Sequence, residues 1–77
     1  MATVETIHEE MFAYNQSVAY GSECNAWQGF VEDMHSNGYD HNENPEQPVS
    51  DEFAEYWQAV ANGESSDFDA ETGNYLG

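Results

Sequence analysis

The sequence predicts an all-α fold: a small three-helix domain with an acidic Pro-containing loop between helices 2 and 3 and an acidic C-terminal tail. Three observations carry this expectation. Apolar residues recur at three- and four-residue steps in three separate segments, the spacing of one helix face. Ser, Thr, Gly and Pro punctuate the chain between those segments. No segment alternates apolar and polar residues over several β-branched positions, as a half-buried strand would. With 77 residues the chain is long enough for one small core and too short for two, and the expected division is a three-helix acidic domain over residues 1–63 with the tail over 64–77, mobile or packed.

In the first segment Val4, Ile7, Met11, Tyr14 and Val18 form the apolar stripe. Thr3 or Thr6 caps its start, Thr6 with Glu9 has capping-box spacing, and Gly21 ends it. In the second, Ser22 is the expected N-cap and Cys24, Trp27, Val31 and Met34 form the stripe, widened by Phe30. Asn37-Gly38 stops it in the left-handed manner. Gly29 inside this helix costs about 1 kcal/mol relative to Ala, and it signals either a weak helix or close packing. Residues 39–49, YDHNENPEQPV, hold both prolines and no period, hence a loop. Ser50 caps a third helix with Asp51 and Glu52 at the positive end of its dipole, Phe53, Tyr56, Trp57 and Val60 on its apolar face, and Gly63 at its close. Phe68, or Tyr75 with Leu76, would anchor a packed tail.

Charge excludes more than any motif does. Sixteen Asp and Glu stand against no Lys and no Arg, a formal charge of -16. Such a chain has nothing to neutralise phosphate, so DNA, RNA and anionic membranes are not expected partners, and the phosphate clamps of kinases and NTPases are missing. A cationic protein surface is the expected partner, metal ions second. Five Tyr, four Phe and two Trp argue for a folded body, since acidic disordered chains are poor in aromatics. The single cysteine forbids an internal disulfide. The N-terminal residues lack the basic and apolar regions of a signal peptide, so a cytoplasmic setting is expected.

Catalytic patterns are weak, and no enzyme activity or cofactor is expected. His8-Glu9-Glu10-Met11-Phe12 starts like a zinc-protease helix but has Phe12 where the second His must stand. Cys24, His35 and His41 could form a Cys/His pair or a metal site, yet Cys24 falls on an apolar stripe and reads as core. Asp40, Asn42, Asn44, Glu46 and Asp51 alternate loosely like an EF-hand loop, with Pro45 in place of the turn glycine and Asp51 in place of the bidentate Glu. The expected metal ligand set is therefore none, with a degenerate calcium-binding module as a lesser alternative.

In size, charge, lack of basic residues and aromatic content, the whole chain resembles the small acidic DNA-mimic inhibitors of phages and mobile elements, the anti-CRISPR and anti-restriction proteins, with inhibitors of uracil-DNA glycosylase as a related class. That resemblance, carried by no single motif, implies occupation of an enzyme's nucleic-acid cleft, a CRISPR effector first and a restriction enzyme next. An acidic adaptor or salt-adapted interaction protein is the alternative, and a homodimer would lengthen the acidic surface. The residues expected to meet the partner are Glu5, Glu9, Glu32, Asp33, Tyr39, Asp40, Glu43, Glu46, Asp51, Glu52 and Glu55. Tyr20 and Tyr75 also fall off the apolar stripes. Because the carboxylates repel one another most in the compact state, monovalent salt should raise the melting temperature as the Debye length shrinks from about 30 Å at 0.01 M to about 8 Å at 0.15 M. Thermal denaturation across that range tests this, and an unchanged midpoint would mean that repulsion does not limit stability.

Overall fold

A computed structural model describes residues 1–77 and contains three helices: α1 (Val4–Ala19), α2 (Asn25–Ser36) and α3 (Asp51–Ala61). The small all-α domain expected from the periodicity is what the chain forms. Helix α1 packs against both α2 and α3, while α2 and α3 meet through aromatic rings, with Phe30 touching Phe53 and Trp57 at centroid distances of 6.0 and 5.5 Å. Phe30, Ile7, Met11, Val4 and Val60 are the largest fully buried side chains. None of the helices is long and apolar enough to cross a membrane.

The N-terminus of α1 is assembled from distant parts of the chain. Thr3 is its N-cap and its Oγ1 accepts from the Thr6 amide at 3.3 Å, so Thr6 lies inside the helix and a Thr6–Glu9 box does not form. The Val4 and Glu5 amides donate to Gln47 and Pro45 carbonyls at 2.9 and 2.8 Å, and the Val49 amide donates to the Ala2 carbonyl at 3.1 Å. Residues 45–49 thus run antiparallel to the segment entering α1, with a bridge at Thr3 and Pro48. Helix amides that would otherwise lack partners are satisfied by a loop that has no periodicity of its own. Ser50 caps α3 as expected, accepting from the Phe53 amide at 3.2 Å. Since residues 2–3 and 48–50 lie side by side, α1 and α3 start at the same end of the molecule.

Helix α2 departs from expectation in its start and its phase. Ser22 does not cap it: its hydroxyl donates to the Ala19 carbonyl at 2.7 Å and closes α1 instead. Cys24 holds the N-cap position without a side-chain cap, and its amide is bound by the buried Asn15 Oδ1 at 3.1 Å. The buried row runs Ala26, Phe30, Met34, at four-residue steps; Val31, expected in the core, is exposed. Trp27, also expected on the stripe, is half-buried, because the buried face is centred on Ala26 and Phe30 and both 27 and 31 lie one residue further round the helix. At the end of α1, Tyr20 rather than Gly21 takes the left-handed C-cap, with φ 50°.

Residues 64–77 fold back onto the helices. Phe68 is the buried anchor, whereas Tyr75 and Leu76 are mostly exposed. The Tyr14 hydroxyl donates to the Asp69 carbonyl at 3.0 Å, the Ala26 amide to the Gly73 carbonyl at 3.0 Å, and the Tyr75 amide to Asn25 Oδ1 at 3.3 Å. Gly73 is buried with φ 73°, and a Cβ there would stand 2.8 Å from Cys24 Sγ and 3.1 Å from Val18 Cγ2. At Gly29, by contrast, a Cβ would meet Trp57 Cη2 at 3.5 Å, an ordinary contact. Gly29→Ala should therefore stabilise the fold by about 0.5–1 kcal/mol through helix propensity. Gly73→Ala should destabilise it by more than about 1 kcal/mol through left-handed strain and steric clash. Urea denaturation of the two variants would show opposite shifts, and two shifts of one sign would contradict this packing.

Candidate partner-binding surface

A chain without Lys or Arg has to place its carboxylates with no side-chain cation except His. None of the sixteen is buried. Among them the two acid types divide by reach. Four of the five Asp side chains accept internal hydrogen bonds: Asp40 and Asp69, one methylene shorter than Glu, from backbone amides close in sequence, and Asp33 and Asp67 from side chains. Asp40 Oδ1 accepts from the Asn42 and Glu43 amides at 2.8 and 3.2 Å, and Asp69 Oδ1 from the Glu71 and Thr72 amides at 2.8 and 3.4 Å. Asp33 Oδ2 accepts from the Trp57 indole at 2.8 Å, and its Oδ1 from Asn37 Nδ2 at 3.2 Å. Asp67 Oδ2 accepts from the Tyr56 hydroxyl at 2.7 Å. No Glu side chain accepts a hydrogen bond, and all eleven point into solvent.

That division sorts the residues singled out from the sequence. Glu5, Glu9, Glu32, Glu43, Glu46, Asp51, Glu52 and Glu55 are exposed and free of internal partners. Asp33 and Asp40 hold the α2–α3 contact and the start of the loop. Tyr39 is half-buried, packs edge-on against Phe53 at 5.0 Å, and its hydroxyl accepts from the Ser50 amide at 3.0 Å, so it pins the loop to α3. Glu10, Glu23, Glu64 and Glu71 are equally exposed; off the apolar stripes, they had the same signal as the others.

The fold gathers several of these acids. Glu43 and Glu46 line an open cleft of about 470 Å³ in the loop, and the bond from the Glu5 amide to the Pro45 carbonyl brings the first turn of α1 beside it. Asp51 and Glu52 lie in the first turn of α3 at the same end. Two helix dipoles therefore direct their positive ends toward this group of carboxylates, each contribution amounting to about 0.3–1 kcal/mol. A second acidic region flanks Tyr56: Asp33 and Glu52 line a cleft of about 310 Å³ on one side, and Glu32 and Asp33 one of about 500 Å³ on the other. Glu9, on α1, and Glu55, on the outer side of α3, line neither.

All three histidines line a fourth cleft of about 250 Å³, together with Val31, Met34, Tyr39 and Asp40. His8 and His41 stack face to face at 3.7 Å, a geometry that turns the rings' faces toward each other rather than their nitrogens toward a shared ion. No three His, Cys, Asp or Glu side chains gather in a way suited to a metal. Cys24 is buried away from this cleft, and the alternating acids of residues 40–51 form a turn whose first carboxylate caps backbone amides.

No family model, curated protein or solved structure matches the chain.

Three groups titrate away from their ordinary range: Tyr14, raised above 10.0 by burial first and then by the charges of Cys24 and Asp69, His8 and Tyr56. Burial, then the charge of His41, lowers the His8 pKa from its ordinary 6.5, with Glu9 acting in the opposite direction. Burial first, then the hydrogen bond and charge of Asp67, push the Tyr56 hydroxyl from 10.0 to about 12. Below pH 6.5 the unfolded chain binds a proton at His8 that the folded one resists, so stability falls with acid there. Between pH 10 and about 12 the unfolded chain releases a Tyr56 proton that the folded one keeps, so stability falls with base. Denaturation midpoints against pH should show both declines, with Tyr56→Phe removing part of the alkaline one; an alkaline limb identical in that variant would contradict the assignment.

Proposed function

We propose that this protein is a DNA-mimic inhibitor that occupies the cationic nucleic-acid site of a bacterial defence complex, a CRISPR effector first and a restriction enzyme next. The observation that carries the reading is that none of the sixteen carboxylates is buried, and fourteen are exposed, on a packed body that has no Lys or Arg. Magnitudes support it. Duplex DNA carries one charge per about 1.7 Å of axis, so sixteen charges equal roughly eight base pairs and about 27 Å of duplex. The longest dimension of the protein is 29 Å. Carboxylates one helical turn apart are spaced by about 5–6 Å, which suits Lys and Arg placed to meet successive phosphates.

The mechanism is competition, with no catalysis by the protein. Long-range attraction brings it to a basic cleft, and its rigid faces displace counterions as a nucleic acid would. The free Glu residues and Asp51 make the contacts, while Asp33, Asp40, Asp67 and Asp69 keep the shape. Such an inhibitor stays folded before it binds, so little ordering entropy is lost at the interface.

Cleavage assays over a panel of CRISPR effectors, restriction enzymes and repair glycosylases, with target DNA titrated back, test the reading. Inhibition should be relieved by excess DNA and should weaken steeply with salt. Reversing Glu43 with Glu46, or Glu52 with Glu55, to Lys should weaken binding by about tenfold or more. Inhibition that saturating DNA leaves unchanged would replace competition with an allosteric mechanism, and no inhibition of any enzyme would leave the acidic adaptor as the leading reading.

A further inference from the structure

Between α1 and α2 the molecule leaves a ridge of aromatic and apolar side chains uncovered. Phe12 is 48% exposed and Val31 is 41% exposed, although neither is needed to complete the core beneath. The rings form an ordered set: His41 lies 8° from parallel with His8, Phe12 lies 11° from parallel with His8 at 6.3 Å, and Trp27 meets His8 and Phe12 edge-on at 5.2 and 6.0 Å. Glu5 and Glu9 precede His8 and Phe12 by three residues each on α1, which places them on the same side of the helix. A ring face beside a carboxylate attracts cations, and this chain has no Lys or Arg to put there.

We propose that this ridge receives an arginine side chain of the cationic partner, its guanidinium stacked on Phe12 or Trp27 and its N–H groups directed to Glu9. The inference rests on the reading of the protein as a ligand of a basic surface and adds a specific contact to it. Arginine fits better than lysine because guanidinium is planar, weakly hydrated and able to stack while it donates, whereas ammonium is a strongly hydrated point charge. A second copy of the chain is disfavoured as occupant because it would bring another sixteen carboxylates to the same face. The ridge also gives the inhibitor a means of choosing among basic clefts that charge alone would not separate.

The probes are two synthetic peptides of equal length and charge, alternating Gly-Arg and Gly-Lys, titrated into the intact protein by calorimetry and by nitrogen-15 NMR of the Trp27 indole. The Arg peptide should bind more tightly and shift the Trp27 signal. Phe12→Ala should cut its affinity about two- to fivefold, the size of one exposed cation–π contact, without changing the salt slope or the Lys-peptide affinity. Phe12→Leu, which keeps apolar bulk but lacks a ring, should lose the same preference. Equal affinity for both peptides, an unmoved Trp27 signal, or an unchanged Arg preference in Phe12→Leu would overturn the ridge while salt-sensitive binding left the mimic reading standing. Failure of both peptides to bind would remove both readings, and self-association abolished by Phe12→Ala would make a second copy the occupant and overturn the proposal.

Discussion

The structure depends on one constraint: sixteen carboxylates have to be held on a small body that has no Lys or Arg to pair with them. Ordinary domains disperse such charge with ion pairs, each of modest value at a surface. Here the only compensating groups are neutral donors and partial charges. Backbone amides serve Asp40 and Asp69, an indole and an amide side chain serve Asp33, and a phenol serves Asp67. Asp33 and Asp67, bonded to Trp57 and Tyr56, link positions 24 and 11 residues apart, and Asp40 and Asp69 fix the turns that they begin, so these four acids tie the chain together.

The same constraint accounts for the way the loop is used. The segment 45–49 contributes its carbonyls to α1, while its side chains contribute acids to the surface, and the starts of α1 and α3 bring two positive dipole ends to that place. A loop with two prolines suits this, because proline lacks an N–H but keeps its carbonyl. Pro45 accepts from the Glu5 amide. Local rigidity, helix capping and charge placement thus come from a single stretch of eleven residues.

Much of this was legible in the sequence and some was not, for physical reasons. The stripes of α1 and α3 are mostly readable because amphipathic spacing reports which face is buried: Val4, Ile7, Met11 and Tyr14, and Phe53, Trp57 and Val60, are in the core, whereas Val18 is half-buried and Tyr56, expected on the apolar face, is exposed and turns its hydroxyl to Asp67. In α2, Cys24, Phe30 and Met34 are buried as their spacing implies, but the buried face is centred on Ala26 and Phe30, so Trp27 is half-buried and Val31 exposed. Ser22 has N-cap chemistry but serves the preceding helix, and Asn15, a buried polar residue in mid-helix, orders the turn through bonds that no local pattern announces. The overall acidity of the surface was evident from composition alone. The separation of bonded Asp from free Glu was not, because it depends on contacts between residues far apart in sequence, such as Asp33 with Trp57.

The contact between Gly73 and Cys24 has a consequence for how the molecule can be observed. The lone thiol is buried under the C-terminal segment, with the glycine backbone where any side chain would collide with sulfur. A thiol covered in this way reacts only when its cover lifts or the whole chain unfolds, and those two events have different free energies. Cys24 is therefore a built-in reporter: its modification rate, compared with the rate of global unfolding, measures how often residues 64–77 detach while the helices remain assembled.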